Sequence, residues 1–119
     1  MNTVNKVVDV RDEKNVKDAL ANAVAEFGGL DILVNNASAI SLTGSLTRGH
    51  FYAVSGTLQT PMKRYDLMHS INGRGTYLMS RVCLPHLLDS KEAGRTPHIL
   101  NNSPPLDMRP KSRSPIFFF

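Results

Sequence analysis

The sequence predicts an α/β fold built on a parallel sheet, and three observations carry that prediction. Leu30, Ile32, Leu33 and Val34 run almost without polar interruption, as in a strand covered by helices on both faces. A helical repeat precedes this run, with a glycine pair between them. A second short apolar run, His98-Ile99-Leu100, ends as the first does in two side-chain amides. In open α/β sheets ligands lie beyond the carboxyl ends of the strands, where Asn35-Asn36 and Asn101-Asn102 stand.

Taken in order, Val4, Val7, Val8 and Val10 form a β-branched run that predicts a first strand. Asp12 then offers an N-cap for a helix in which Val16, Leu20, Ala23, Val24 and Phe27 recur at helical spacing, stopped by Gly28 and Gly29. The strand at 30–35 follows, so the first third reads as a βαβ unit. Each of Asn35 and Asn36 carries a carbonyl acceptor and an NH2 that donates twice, and Ala37 and Ser38 keep the backbone approachable. Asn at that point is equally what a strand-to-loop turn uses.

Residues 41–56 hold Ser, Thr and Gly without a sustained period and read as a loop. Thr60 and Pro61 predict a helix start, with Pro at the first helical position, leading into Met62, Tyr65, Leu67 and Met68. This helix should bend or break near Gly73 and Gly75. A further helix over about 76–88 gathers Leu78, Val82 and Cys83, with Pro85 as a kink near its end. SKEAGRT at 90–96 reads as a polar surface connection before the last strand at 97–101.

At 119 residues and 41% hydrophobic, the chain has the size and apolar content of one domain. No apolar run approaches the roughly 20 residues of a membrane helix, and MNTVNKVVDVRD has no secretory pattern. The single Cys83 excludes an intrachain disulfide and a cysteine-rich metal site, which suits an intracellular, reducing compartment; it reads as a small core residue. The net charge of +4 is concentrated at one end: residues 1–107 carry eleven Lys/Arg against ten Asp/Glu, and Arg109, Lys111 and Arg113 supply the rest. Residues 108–119 therefore read as a disordered basic tail, and no basic groove with interleaved aromatics points to nucleic acid.

VDVRD, LDILVNNAS, INGRG and HILNNSPP stand in the order and spacing of the middle of a short-chain dehydrogenase/reductase. The chain resembles that family over about residues 4–107, with 45–56 as an inserted loop. The resemblance implies a partial Rossmann-like, doubly wound parallel sheet containing the third to fifth strands of the family fold, and NADP or NAD as cofactor. It implies that Asp9 contacts the adenine with the Val10 backbone beside it. Asn35, Asn36 and Ala37 would lie along the cofactor, with Ser38 where many members have Gly. Asn72 would be the catalytic Asn that helps hold a water in the proton relay through a helix distortion. An Asn-Gly pair is also an ordinary helix breaker.

The family's reaction is hydride transfer between nicotinamide and a carbonyl carbon, with a proton supplied to the oxygen. That proton usually comes from the Tyr of a Tyr-x-x-x-Lys pair. Here Tyr52, Tyr65 and Tyr77 are followed four residues later by Gly56, His69 and Arg81, so the pair does not occur. Tyr77 with Arg81 is the nearest imitation and should be ordinary helix packing. Ser103 falls one place before the customary Ser, where Pro104 stands. The first glycine-rich turn, TGxxxGxG, should precede Val4 and is not in these residues; Gly73-Arg74-Gly75 lacks the preceding strand and is a decoy. The family's third strand is separated from its fourth by two strands, so residues 7–10 either pair with 33–35 in a new topology or keep unpaired backbone groups.

The expectation is a fragment of an NAD(P)-dependent oxidoreductase of lipid-like carbonyls or alcohols, inactive and marginally stable on its own. The stretch SLTRGHFYAVSG and the end RPKSRSPIFFF suggest a fragment, a splice variant or an imperfect gene model. The alternative is a non-enzymatic remnant that binds a protein partner, such as an intact paralogue or a second copy, through helices within 60–88. Small-molecule substrates belong to full-length relatives. The resemblance also implies a peroxisomal or mitochondrial location, although the final three Phe are not a peroxisomal address.

Overall fold

The computed structural model describes residues 2–39 and 61–103. The inserted loop at 45–56, the Thr60 cap and the basic tail lie outside the described residues. Helix α1, Glu13–Phe27, begins where the sequence predicts: extended Asp12 accepts the Asn15 N–H at 3.0 Å on its carboxylate. Ion pairs Lys17–Glu13 and Lys14–Asp18, four residues apart, line its outer face. Gly28 ends it at φ 79°, a left-handed conformation that returns the Gly28 N–H to the Val24 carbonyl.

Strand β1, Ile32–Asn35, pairs in parallel with β2, His98–Asn101, from Ile32 opposite His98 to Asn35 opposite Asn101. Among the described residues the connection between them contains α2, Met62–His69, a π-helical turn over Ser70–Gly75, and α3, Thr76–Glu92. The bend or break expected at Gly73 and Gly75 is instead a widened turn inside one continuous helical run. Pro61 does not occupy the first helical position; it is the extended cap before Met62, and its carbonyl accepts from Arg64 N at 2.9 Å. Pro85 sits inside α3, which continues past 88 to Glu92 because buried Leu87 and Ser90 anchor the turns beyond it.

Helices α1 and α3 lie on one face of the sheet. Leu33, Cys83 and Leu87 form the buried cluster beneath them, with Leu20, Leu30 and Met79 packed against it. Val16 is only 1% exposed. Each such side chain contributes roughly 1.5–3 kcal/mol of transfer free energy. Cys83 is the core residue the sequence indicated, and burial pushes its thiol pKa up.

Two expectations fail here. Residues 4–10 form no strand and Val7 is 97% exposed, so of the two outcomes expected for residues 7–10, pairing with 33–35 does not occur and the segment stays outside the sheet. β-Branching favours extension, but a strand persists only when its N–H and C=O groups are paired, and the two-stranded sheet gives this segment no neighbour. Nor is β1 covered on both faces: Leu33 is buried, but Ile32 and Val34, with Leu100 of β2, are each more than half exposed on the opposite face. The α/β class with a small parallel sheet holds.

Candidate functional site

The four asparagines at the strand ends knit β1 to β2. Asn35 Nδ2 donates to Asn101 Oδ1 at 2.8 Å and to Ser80 Oγ at 3.1 Å, so both its amide hydrogens are spent. Asn102 donates its backbone N–H to the Asn35 carbonyl at 3.0 Å and its Nδ2 to Asn36 Oδ1 at 2.7 Å. The paired amides at the ends of the two apolar runs thus bond to each other, and Ser80 of α3 ties Asn35 to the covering helix.

Just beyond Asn36 the chain meets the π turn. Asn72 accepts the Ala39 N–H at 2.8 Å and donates Nδ2 to the Ala39 carbonyl at 3.0 Å, so one amide side chain satisfies both backbone groups of a residue 33 positions away. The Thr76 hydroxyl donates to the Asn72 carbonyl at 2.8 Å. A π turn widens the helix by one residue and disturbs its regular backbone pairing. Gly73 and Gly75 lower the cost of leaving α geometry. The Asn72 side chain thus spends one N–H and one acceptor position on Ala39.

Val10, Val34, Asn35, Asn36 and Ala37 line a crevice of about 50 Å³, closed on its other side by Ile71, Gly75, Thr76 and Met79. Four residues expected to bind cofactor, Val10, Asn35, Asn36 and Ala37, therefore share one opening at the carboxyl end of β1. Asn72 stands in the turn that forms the opposite wall. Asp9 is not among the lining residues.

The Asp9 carboxylate is taken by Arg11, whose Nη2 lies 2.6 Å from Oδ2 and whose Nε and backbone N both lie 2.9 Å from Oδ1. These hydrogen bonds hold its pKa down to about 2. Both side chains are more than two-fifths exposed, so the pair is worth little in stability, but it fixes the turn entering α1. Any group that donates a hydrogen bond to the Asp9 carboxylate competes with Arg11.

Several residues around the crevice had no signal of their own in the sequence. Ile71, Thr76, Met79 and Ser80 look like ordinary helix positions, and only Asn72-Gly73 with Gly75 marks the turn that aims them. Tyr77, expected to pack, is 68% exposed, while its neighbours Leu78 and Met79 on α3 turn to the interior. Ser90, expected on a polar surface connection, is fully buried: its hydroxyl bonds the Asp31 carboxylate, which Arg95 Nε also holds at 2.6 Å. These bonds lower the Asp31 pKa, with Ser90 the larger cause.

The family model described as short chain dehydrogenase matches residues 2–101. Over 104 residues the chain is 60% identical to hydroxysteroid dehydrogenase-like protein 2 of Danio rerio, covering 87% of this chain and 21% of that relative. A crystal structure of a short chain dehydrogenase from Mycobacterium thermoresistibile matches with a TM-score of 0.66 at 45% identity, over 92% of this chain and 33% of that one. The 3-ketoacyl-(acyl-carrier-protein) reductase from Brucella melitensis, complexed with NADH, matches with a TM-score of 0.65 at 32% identity, over 79% of this chain and 34% of that one. The chain spans about a fifth of that curated relative and about a third of each of these structures.

Proposed function

This chain belongs to the short chain dehydrogenase family, and on that premise we propose that it supplies one wall of the cofactor site of an NAD(P)-dependent oxidoreductase. The observation that carries this reading is the shared crevice, in which Val10 and the Asn35-Asn36-Ala37 turn face the π turn of Asn72. A volume of about 50 Å³ is far below the roughly 300–1,000 Å³ of a complete small-molecule site. On this reading the described residues would line one edge of a dinucleotide. Val10 would sit beside the adenine, Asp9 would accept from it once released by Arg11, and Asn36 and Ala37 would run along the cofactor. The Asn72 carbonyl, already accepting from Thr76, has a second lone pair with which to hold a water.

The bound nicotinamide would supply or accept the hydride, and the substrate class is a lipid-like carbonyl or alcohol, as the steroid in the relative's name suggests. These 119 residues contain no Tyr-x-x-x-Lys pair to deliver the proton, so by themselves they turn over no substrate. The test is a hybrid of the full-length Danio rerio relative in which this chain's residues 2–39 and 61–101 replace their counterparts. NADH or NADPH titration should give saturable binding, and Asn72→Ala in the hybrid should cut turnover at least about tenfold with cofactor affinity held within about twofold. Loss of cofactor binding in a folded hybrid would sink the proposal. We assign the full-length relatives to peroxisomes or mitochondria on family resemblance, which organelle fractionation checks.

A second reading rests on α3. Tyr77, Leu84 and Leu88 are 68%, 46% and 50% exposed, and their spacing puts them on one face of the helix. Such a stripe suits a second copy of the chain or an intact paralogue. Chemical crosslinking of the 119-residue chain, with and without Leu84→Glu, tests it: dimers that persist in the variant, or none in either, remove this reading.

A further inference from the structure

We infer that Gly75 is a positioning residue that sets the width of the crevice by acting through Val10. Gly75 is buried, and a Cβ built on it would lie 2.9 Å from Val10 Cγ2, closer than real side chains approach, and a tight 3.3 Å from Val10 Cβ. Its φ of −63° is ordinary, so the glycine is needed for space rather than for backbone freedom. The neighbouring Arg74 Nη1 donates to the Arg11 carbonyl at 2.7 Å. The π turn thus draws residues 10–11 inward on one side while Asn72 holds Ala39 on the other.

This arrangement gives the turn two grips on opposite walls. Residues 4–10 belong to no strand, so nothing in the sheet fixes Val10; its seat is the hollow left by the missing Gly75 side chain together with the Arg74 bond. The consequence for cofactor binding rests on the reading above. The mechanical coupling of Gly75 to Val10 does not.

The test is amide hydrogen exchange on the 119-residue chain with Gly75→Ala, Val10→Ala and both together. Alanine is the better helix former, so absent a steric conflict Gly75→Ala would leave exchange unchanged or slower. We expect it instead to speed exchange about tenfold or more at the Asp12 amide, which donates to the Asp9 carbonyl at 3.0 Å. Adding Val10→Ala should bring that rate back to within about threefold of Val10→Ala alone. Unchanged exchange in Gly75→Ala, or acceleration that Val10→Ala does not relieve, would overturn the inference. If Gly75→Ala alone cannot be isolated folded, recovery of folded protein in the double variant supports it, and failure of the double variant overturns it. A lack of NADH binding by the hybrid would count against the functional reading and leave this result intact.

Discussion

Asn72 holds Ala39 by both its N–H and its carbonyl, at 2.8 and 3.0 Å, and so fastens the π turn to the loop leaving β1. Replacing Asn72 with Ala removes both bonds at a partly buried site and should destabilise the chain by about 1–3 kcal/mol. Asn72→Asp should cost a similar amount, because a carboxylate cannot donate to the Ala39 carbonyl. Urea midpoints of the two variants check this, and a neutral Asn72→Asp would contradict the donor role of Nδ2.

The Asp9–Arg11 pair predicts an acid-resistant turn. Its hydrogen bonds hold Asp9 at about 2, below the ordinary 3.8, so the stabilisation is present above the ordinary value and is lost as pH falls through about 2. A carboxyl-carbon NMR titration should place the Asp9 midpoint near 2, and Arg11→Ala should return it towards 3.8. A wild-type midpoint near 3.8 would mean that the pair does not persist in solution.

At the other end of the sheet, Ser90→Ala removes a fully buried hydroxyl bonded to the Asp31 carboxylate. The loss should be about 2 kcal/mol by denaturant unfolding, as for hydrogen bonds to charged groups. A change below about 0.5 kcal/mol would show that Arg95 alone suffices to hold Asp31.

The two faces of the sheet should respond oppositely to mutation. Leu33→Ala, in the covered cluster, should cost about 2–5 kcal/mol. Val34→Thr with Leu100→Thr, on the bare face, should cost little and should lower both the fluorescence of an apolar dye and self-association. With one face bare, heating should give a broad, weakly cooperative transition, and a sharp calorimetric peak would show that the 119-residue chain builds a complete core.

What the sequence disclosed divides along the reach of the forces involved. Helix α1 was legible because its determinants are local: the Asp12 cap, the apolar repeat and the Gly28 stop all lie within its own length. The amide pairs at the strand ends were legible as a place, but not as partners to each other, because the Asn35–Asn101 contact spans 66 residues. The π turn showed only as a weak point at Gly73 and Gly75; its geometry is completed by Ala39 and Val10, which no local pattern connects to it. Ser90 resembles a surface residue for the same reason, since the Asp31 it meets is 59 residues away. The failed strand at 4–10 is the converse case, a local preference without a distant partner.

The β1–β2 pair also has two outer rims. Among the described residues neither strand has a second neighbour, so each presents a row of backbone donors and acceptors along its free side. Such a rim accepts any extended chain of suitable register, whether from elsewhere in a longer polypeptide or from another molecule. The register that Asn35 and Asn101 fix between themselves is therefore the template on which further strands would align, and at high concentration it is also where fibrous association would begin.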